Sequence, residues 1–182
     1  SPCPFCGGNV TLKRITDLYS DNKNKYHVYV CENFFTGKCD AYIKATKIGD
    51  KYIPMGTLAN AKLRAKRIEL SEELFKIWKH KVINSINPDF IVRYNLPDKI
   101  GFAKRIEDKK DFIIIEDLFT KERYELPKTN TTTVPLRTKT YLTLSLEMGI
   151  PMEVCTPNYL NYEEVLSALN IVHKWWHKII KK

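Results

Sequence analysis

Four of the five cysteines lie within the first 39 residues, at spacings that suit a metal ion. Cys3 and Cys6 have two residues between them, which lets both sulfurs of a tight turn face one ion, and two glycines follow them. Cys31 and Cys39 have seven residues between them, longer than the usual spacing of about two to four. Four thiolates suit the tetrahedral coordination of Zn²⁺ and leave no position for water. The sequence therefore predicts one structural zinc ion.

Two other interpretations of these cysteines are open. A redox-active Cys-x-x-Cys normally opens a helix in a thioredoxin-like unit, whereas Cys6 leads into a predicted strand. A pair of disulfides is disfavoured, because the number of cysteines is odd and the N-terminus lacks the layout of a signal peptide. The fifth cysteine, Cys155, is expected to be a buried thiol with no chemical role.

Recognisable catalytic motifs do not occur in the sequence. It has no Walker loop, no Gly-rich dinucleotide turn and no His-Glu-x-x-His. His173 and His177 stand four residues apart without a third ligand, so we expect them to be surface residues. We expect a non-catalytic protein. A metal-dependent nuclease is the open alternative, with the candidate carboxylates Asp89, Asp111, Glu116 and Asp117.

The charge balance favours a polyanionic partner. The chain has 182 residues, with 30 Lys and Arg against 21 Asp and Glu and a net charge of +9. Such a surplus attracts phosphate groups regardless of base sequence, and aromatic side chains beside the cations stack on bases. The expected partner is nucleic acid, DNA before RNA. The residues predicted to contact it are Lys13, Arg14, Phe34, Phe35, Lys38, Tyr42, Lys44, Lys62, Arg64, Lys66 and Arg67.

The elements that must position the cysteines are predicted to form a zinc ribbon over residues 1–48. Strand patterns cover residues 10–16, 26–31 and 40–45, and a polar turn at 20–25 joins the first two. Residues 49–87 then supply a linker, 49–55, and a long helix. This helix is predicted to start at Leu58, with Thr57 as its N-cap, and to reach about His80. Its apolar residues at helical spacing are Ala61, Leu63, Ala65, Ile68, Leu70, Leu74 and Ile77.

The rest of the chain changes from a strand period to a helix period. Residues 88–128 are a β-rich insertion, with strands predicted at 90–94, 100–106, 111–117 and 123–126. This segment is similar to small SH3-like or Tudor-like barrels, and a plain hairpin insertion is the alternative. Residues 130–135 are a polar connector.

Residues 129–182 are predicted to form a C-terminal helical segment that packs on the first helix. One helix spans 136–148 and ends at Gly149, and a last helix follows Asn161 and reaches Ile179. The predicted fold class is therefore α+β: an N-terminal four-cysteine zinc ribbon, a long helix, a small antiparallel β insertion and C-terminal helices.

These residues together resemble a known family. The run Cys3-Pro4-Phe5-Cys6-Gly7-Gly8, the later pair Cys31 and Cys39, and Gly56-Thr57-Leu58-Ala59-Asn60 before the helix are similar to the zinc-finger-containing domain family of phages and prophages. The likeness covers the first 80 residues and, loosely, residues 137–165. It implies a phage origin and four cysteine ligands for zinc, which fall on Cys3, Cys6, Cys31 and Cys39. It implies no particular activity.

We make two predictions of function. The first is a zinc-stabilised, phage-type accessory protein that binds nucleic acid. The second is a phage effector that binds a host polymerase, nuclease or defence enzyme, with an edge strand of the β insertion adding to a sheet of its partner. Because no apolar run approaches the roughly 20 residues of a membrane helix, we expect no membrane partner and a location in the cytoplasm of the host cell.

Overall fold

A computed structural model describes residues 1–80, 90–92, 103–117, 121–128, 131–133 and 136–180. Helices and antiparallel strands occur together in these ranges, which confirms the predicted α+β class. The chain forms two compact units, one of residues 1–68 and 158–162 and the other of residues 69–157 and 163–182. None of the described helices has the length and hydropathy that a membrane span requires.

The first unit is built on a four-stranded antiparallel sheet in which sequence neighbours pair. Its strands are β1 (Val10–Arg14), β2 (His27–Cys31), β3 (Tyr42–Ile48) and β4 (Lys51–Pro54), in that order. Val28 is paired with Lys13 on one side and with Lys44 on the other, so the three residues share one face. On this face Val28, Val30 and Ile15 are buried and form a small core.

The strand β3 runs from Tyr42 to Ile48 rather than over the predicted 40–45. Two larger differences from the predicted strands occur elsewhere in this sheet. The first strand ends at Arg14, and Ile15–Leu18 form a short helix, α1, because the buried Ile15 packs over the sheet with Val28 and Val30. The predicted linker at 49–55 contains β4, which pairs with β3 through the two-residue turn of Gly49 and Asp50. Gly49 has φ of +62°, the left-handed conformation that such turns require.

The long helix, α2 (Ala61–Lys79), starts three residues after the predicted Leu58. Asn60 rather than Thr57 caps it, because Asn60 Oδ1 accepts the Leu63 N–H at 2.9 Å. The Asp40 carboxylate accepts the Ala61 N–H, at 3.2 and 3.3 Å from its two oxygens. The buried face of the helix carries Leu63, Leu70, Leu74 and Ile77. Ile68, which the helical spacing placed among the apolar positions, is 60% exposed.

A distant segment of the chain, residues 158–162, completes the first unit. The Thr57 N–H donates to Asn158 O at 2.9 Å, and Arg67 donates to Leu160 O. Gly56 allows this approach, because a Cβ at that position would overlap the backbone of Asn158. Leu160 itself is buried. The N-terminal unit is therefore discontinuous in sequence.

The second unit contains two separate antiparallel sheets among its described residues. β6 (Ala103–Asp108), β7 (Phe112–Asp117) and β8 (Arg123–Pro127) form a meander, and β5 (Phe90–Val92) pairs with β9 (Thr131–Thr133). The strand β9 corrects the predicted connector at 130–135. A closed SH3-like barrel is not formed by these described strands. Residues 93–94 and 100–102, also predicted as strand, lie outside the described ranges.

The C-terminal helices agree closely with their predicted bounds. The helix α3 (Leu136–Met148) is followed by Gly149 with φ of +68°, as expected for a residue that ends a helix. The helix α4 (Tyr162–Trp175) begins directly after Asn161 and continues as a π-helical turn, Trp176–Ile180. Trp175 is buried, and its Nε1–H donates to Glu147 Oε1 at 2.7 Å.

Candidate metal centre

The first pair of cysteines lies on a tight turn that hydrogen bonds hold closed. The Cys3 N–H donates to Gly8 O and the Gly7 N–H donates to Cys3 O, both at 2.8 Å. Gly7 takes φ of +75°, a conformation that favours glycine. A Cβ on Gly8 would lie 2.8 Å from Asn33 Nδ2 and 3.1 Å from Cys31 Sγ. The turn therefore needs both glycines, one for conformation and the other for space.

The second pair of cysteines is brought together by a compact loop despite its seven-residue separation. After Cys31 the chain makes a 3-10 turn, Glu32–Phe34. The carbonyl oxygen of Asn33 then accepts the N–H groups of Lys38 at 3.0 Å and Cys39 at 3.2 Å. These bonds return the chain to the sheet and bring the Cys39 sulfur within 4.8 Å of the Cys31 sulfur. The hydrogen bonds to Asn33 O therefore explain how cysteines separated by seven residues both reach a four-sulfur site.

The four sulfur atoms have the arrangement that zinc requires. Cys6 Sγ lies 3.4 Å from Cys31 Sγ, and Cys3 Sγ lies 3.8 Å from Cys39 Sγ. All four lie within 4.8 Å of one another, whereas a tetrahedron with zinc–sulfur bonds of about 2.3 Å has edges of about 3.8 Å. The cysteines are free thiols rather than disulfides. The residues therefore fit one structural Zn²⁺ with a closed shell of four ligands.

The thiols of the metal-free site differ in acidity. Cys6 is exposed, and hydrogen bonds from the Asn33 side chain, at 3.3 Å, and from the Gly8 backbone lower its pKa to about 6. Burial raises the pKa of Cys31 to about 12 and also raises the pKa of Cys39. Zinc must displace the protons of these two thiols when it binds, which couples its affinity to pH.

The remaining candidate ligands do not join this centre. Among the described residues, the cysteine quartet is the only group that brings three or more ligand atoms together. Cys155 is fully buried in the second unit, where burial raises its pKa to about 11. His173 and His177 are exposed. Of the nuclease candidates, Glu116 is paired with Arg123 at 3.0 Å and Asp117 is buried. Asp89 lies outside the described residues.

We call residues 31–39, which join the second pair of cysteines, the zinc loop. Aromatic rings cluster beside it, on the sheet face that carries Val28. Tyr19 makes edge-to-face contacts with Phe34 at 5.9 Å and Tyr42 at 6.2 Å, and Phe34 contacts Phe35 at 5.6 Å between ring centres. Tyr19 is 38% and Phe35 50% exposed. We call the surface formed by Tyr19, Phe34, Phe35 and Tyr42 the aromatic face. It places rings that are fixed by their neighbours next to solvent.

Cations border the aromatic face. The Arg64 guanidinium lies 4.2 Å from the centre of the Tyr42 ring, and the Lys44 ammonium lies 4.9 Å from that of Tyr26. Lys13 is exposed on the same side of the sheet as Lys44. Lys38 is also exposed, within the loop between Cys31 and Cys39.

The other predicted nucleic-acid contacts are more scattered. Arg14 stands opposite His27 in the register, on the other face of the sheet. Lys62 is exposed above the Tyr162 ring, and Lys66 is half-buried. Arg64 has a structural role as well, because it donates to Asp40 O and Ala59 O at 2.7 and 2.6 Å.

Arg67 corrects the sequence prediction. Its side chain is 4% exposed and cannot follow a nucleic-acid backbone. It donates to Leu160 O from two nitrogens and to the carbonyl and hydroxyl oxygens of Thr57 at 2.7 Å. Burial lowers the pKa of the guanidinium to about 10, still charged at neutral pH. Arg67 therefore fastens the distant segment 158–162 to the first unit.

Sequence reasoning also missed residues of the site. Asn33 stands two positions after Cys31, but no local pattern indicates that its carbonyl closes the loop and its amide contacts Cys6. Tyr19 precedes the polar turn and belongs to no predicted motif. The available signal was that Tyr19 and Tyr26 flank that turn and could both reach the sheet.

The fold and the site define a small zinc-stabilised α+β protein with an N-terminal four-cysteine ribbon. Residues 1–104, more than half of the chain, match the model of a family described as a zinc-finger-containing domain, and the chain belongs to that family. The matched region includes residues 88–104, the first part of the predicted β insertion at 88–128. No curated protein and no solved structure matches the chain significantly. Phage origin stays a prediction.

Proposed function

We propose that the first unit binds nucleic acid, with its cations on phosphate groups and its aromatic face on bases. The observation that carries the proposal is that the exposed rings of Tyr19 and Phe35 belong to one aromatic cluster with Tyr42, whose ring lies beside the Arg64 guanidinium. A host-protein partner, a host-cell cytoplasm and the absence of catalysis stay predictions.

The distribution of charge supports this assignment. Residues 1–68 and 158–162 contain 12 Lys and Arg against 5 Asp and Glu, a net charge of +7 out of the +9 of the whole chain. Zinc with four thiolates carries a formal charge of −2, which leaves +5 in the loaded unit. The second unit carries the remaining +2. The attraction for phosphate is therefore concentrated in the unit that also carries the aromatic face.

The lysines and the aromatic rings contact different parts of the nucleic acid. Lys13 and Lys44 lie in one row across the sheet, and Lys38 lies on the zinc loop. Each cation that contacts a phosphate releases a counterion, which makes binding weaker at higher salt. Phe35 and Tyr19 supply rings on which bases stack without regard to sequence. This combination is typical of proteins that bind single strands with little base preference.

The test is fluorescence anisotropy of a labelled single-stranded DNA over a series of salt concentrations. The double variant Lys38→Gln/Lys44→Gln should lower the slope of log affinity against log salt by about 1.4, since each phosphate contact on a single strand contributes about 0.7. Phe35→Ala should weaken binding by about 1–3 kcal/mol with little change in slope. The same measurements with RNA decide whether DNA is preferred.

The control is Lys47→Gln, compared with the single variant Lys44→Gln, because each removes one positive charge from the same strand but from opposite faces of the sheet. Lys47 stands opposite Tyr52 and lies three residues after Lys44 on the same strand. Because side chains alternate along a strand, the two lysines are on opposite faces of the sheet. Lys47→Gln should leave the slope of log affinity against log salt equal to that of the parent protein, within experimental error. A titration of the parent protein that does not depend on salt, or equal effects of Lys44 and Lys47, would refute a nucleic-acid site on the aromatic face.

A further inference from the structure

A cavity of about 380 Å³ opens on the first unit where the aromatic face meets the zinc loop. Its lining residues are Tyr19, Phe34, Gly37, Lys38, Cys39 and Asp40. Small-molecule sites commonly have volumes of about 300–1,000 Å³ and combine apolar walls with a few polar groups. This cavity has the size and the mixed lining of such a site.

The walls of the cavity are suited to a flat aromatic ligand. The rings of Tyr19 and Phe34 are fixed at 85° to each other, with their centres 5.9 Å apart. Gly37 takes φ of +75°, and a Cβ there would meet no atom within 4 Å, so the space beside it is open. Lys38, next in the chain, is exposed at the rim of the same loop. The Tyr19 and Phe34 rings contact each other edge to face, so a planar ring stacks on the exposed side of this pair rather than between the two rings. A cation lies nearby for an attached phosphate.

The Asp40 carboxylate gives the cavity a hydrogen-bond acceptor. Its side chain remains 50% exposed, although its oxygens accept the Ala61 N–H and one of them lies 3.9 Å from Arg64. A carboxylate has about four lone-pair sites, so acceptor capacity is left for a ligand. Carboxylates accept hydrogen bonds from the amino group of cytosine, whereas thymine and uracil present a carbonyl oxygen at that position.

We propose that this cavity binds one unpaired, amino-bearing base, cytosine among the pyrimidines, within a single strand. The inference rests on the proposed function and adds to it a preference for base and strand. Paired bases stack on their neighbours and use their amino groups in pairing. A base enters the cavity only from a single strand or after flipping out of a duplex. Asp40 accepts from the amino group, the base stacks on the exposed side of the Tyr19 and Phe34 pair, and Lys38 faces the phosphate.

The test compares oligo(dC), oligo(dT) and a mixed-sequence duplex by fluorescence anisotropy at one salt concentration. The parent protein should bind oligo(dC) about tenfold more tightly than oligo(dT), the lower range for one specific base contact. Oligo(dT) should in turn bind more tightly than the duplex. Asp40→Asn keeps the shape of the side chain and can donate to the thymine carbonyl, so it should abolish or invert the preference between the pyrimidines.

The matched control is Glu32→Gln, which removes a negative charge from the zinc loop outside the cavity lining. Glu32 is exposed and accepts the Asn9 N–H at 3.2 Å. It should raise affinity for both oligonucleotides alike and keep their ratio. Denaturation curves of the zinc-loaded variants check that Asp40→Asn has not unfolded the unit.

Failure of this inference is distinguishable from failure of the proposed function. Salt-dependent binding with equal affinities for oligo(dC) and oligo(dT) overturns the base cavity and leaves the nucleic-acid site in place. An unchanged preference in Asp40→Asn overturns the assigned role of the carboxylate. No binding to any of the three nucleic acids overturns both.

Discussion

The substitution Arg67→Met separates a structural role from a nucleic-acid contact. The guanidinium is 4% exposed and donates to Leu160 O and to two oxygens of Thr57. Methionine keeps the length of the side chain and removes every donor. Its effect therefore reports the value of these hydrogen bonds to the first unit.

The expected magnitude follows from the groups left behind. A buried carbonyl without a donor costs about 1–3 kcal/mol, which applies in full to Leu160 O and in part to Thr57 O, because Thr57 is exposed. We expect a loss of about 2–4 kcal/mol in the free energy of unfolding. For a chain of this length, at about 2–4 °C per kcal/mol, this lowers Tm by about 5–15 °C. Arg67→Lys should recover only part of the loss, since an ammonium cannot reach both carbonyls in the same geometry.

The assay is denaturant unfolding of the zinc-loaded protein, followed by circular dichroism, beside nucleic-acid binding measured below the transition. Lys62→Met is the control, because Lys62 is exposed on the same helix above Tyr162. It should change stability by less than about 1 kcal/mol. If Arg67→Met were as stable as the parent protein but bound nucleic acid tenfold more weakly, Arg67 would be a phosphate contact and the structural argument would be wrong.

Three further predictions concern the metal site and the helix. Gly8→Ala should weaken zinc binding about 10- to 100-fold in a chelator competition, since its Cβ would crowd Asn33 and Cys31; unchanged affinity contradicts this. Zinc affinity should rise at least about 100-fold per pH unit near neutrality, because zinc displaces protons from Cys31 and Cys39, whose pKa values burial raises; a flat profile opposes it. Asn60→Ala should destabilise the protein by about 1 kcal/mol and Asn60→Asp by less; equal losses argue against a cap.

The parts of the structure that sequence could predict are those with local signals. The zinc ligands follow from cysteine spacing, and the C-terminal helices follow from apolar periodicity and from Gly149, whose φ is positive. Even the error at the start of the long helix is local, because Thr57 and Asn60 are both acceptable N-caps. The choice between them depends on Arg67, which donates hydrogen bonds to the carbonyl and the hydroxyl oxygens of Thr57. The Thr57 hydroxyl is therefore engaged by Arg67 rather than by the helix N-terminus.

The parts that could not be predicted depend on residues far apart in the chain. β9 looks like a polar connector because three threonines have no amphipathic pattern, and only its pairing with β5 makes it a strand. In the sequence Arg67 is indistinguishable from the other cations of the helix. Its structural role could not be predicted, because the acceptor, Leu160 O, lies 93 residues away. The cavity likewise requires Tyr19 and Asp40 to meet across the folded ribbon. Charge and composition are visible in sequence, whereas their placement is a property of tertiary structure.

The discontinuity of the first unit has a consequence for protein synthesis. The ribbon and its zinc ligands leave the ribosome before the segment that supplies Leu160 O to Arg67, which follows 93 residues after Arg67. Until that segment emerges, the guanidinium has no partner there and must remain hydrated, so the nascent ribbon is complete as a metal site and incomplete as a folded unit. Closing so long a loop is slow relative to local pairing. Zinc capture should therefore precede the final closure, and the ion holds the N-terminal residues in place while the rest of the chain is made.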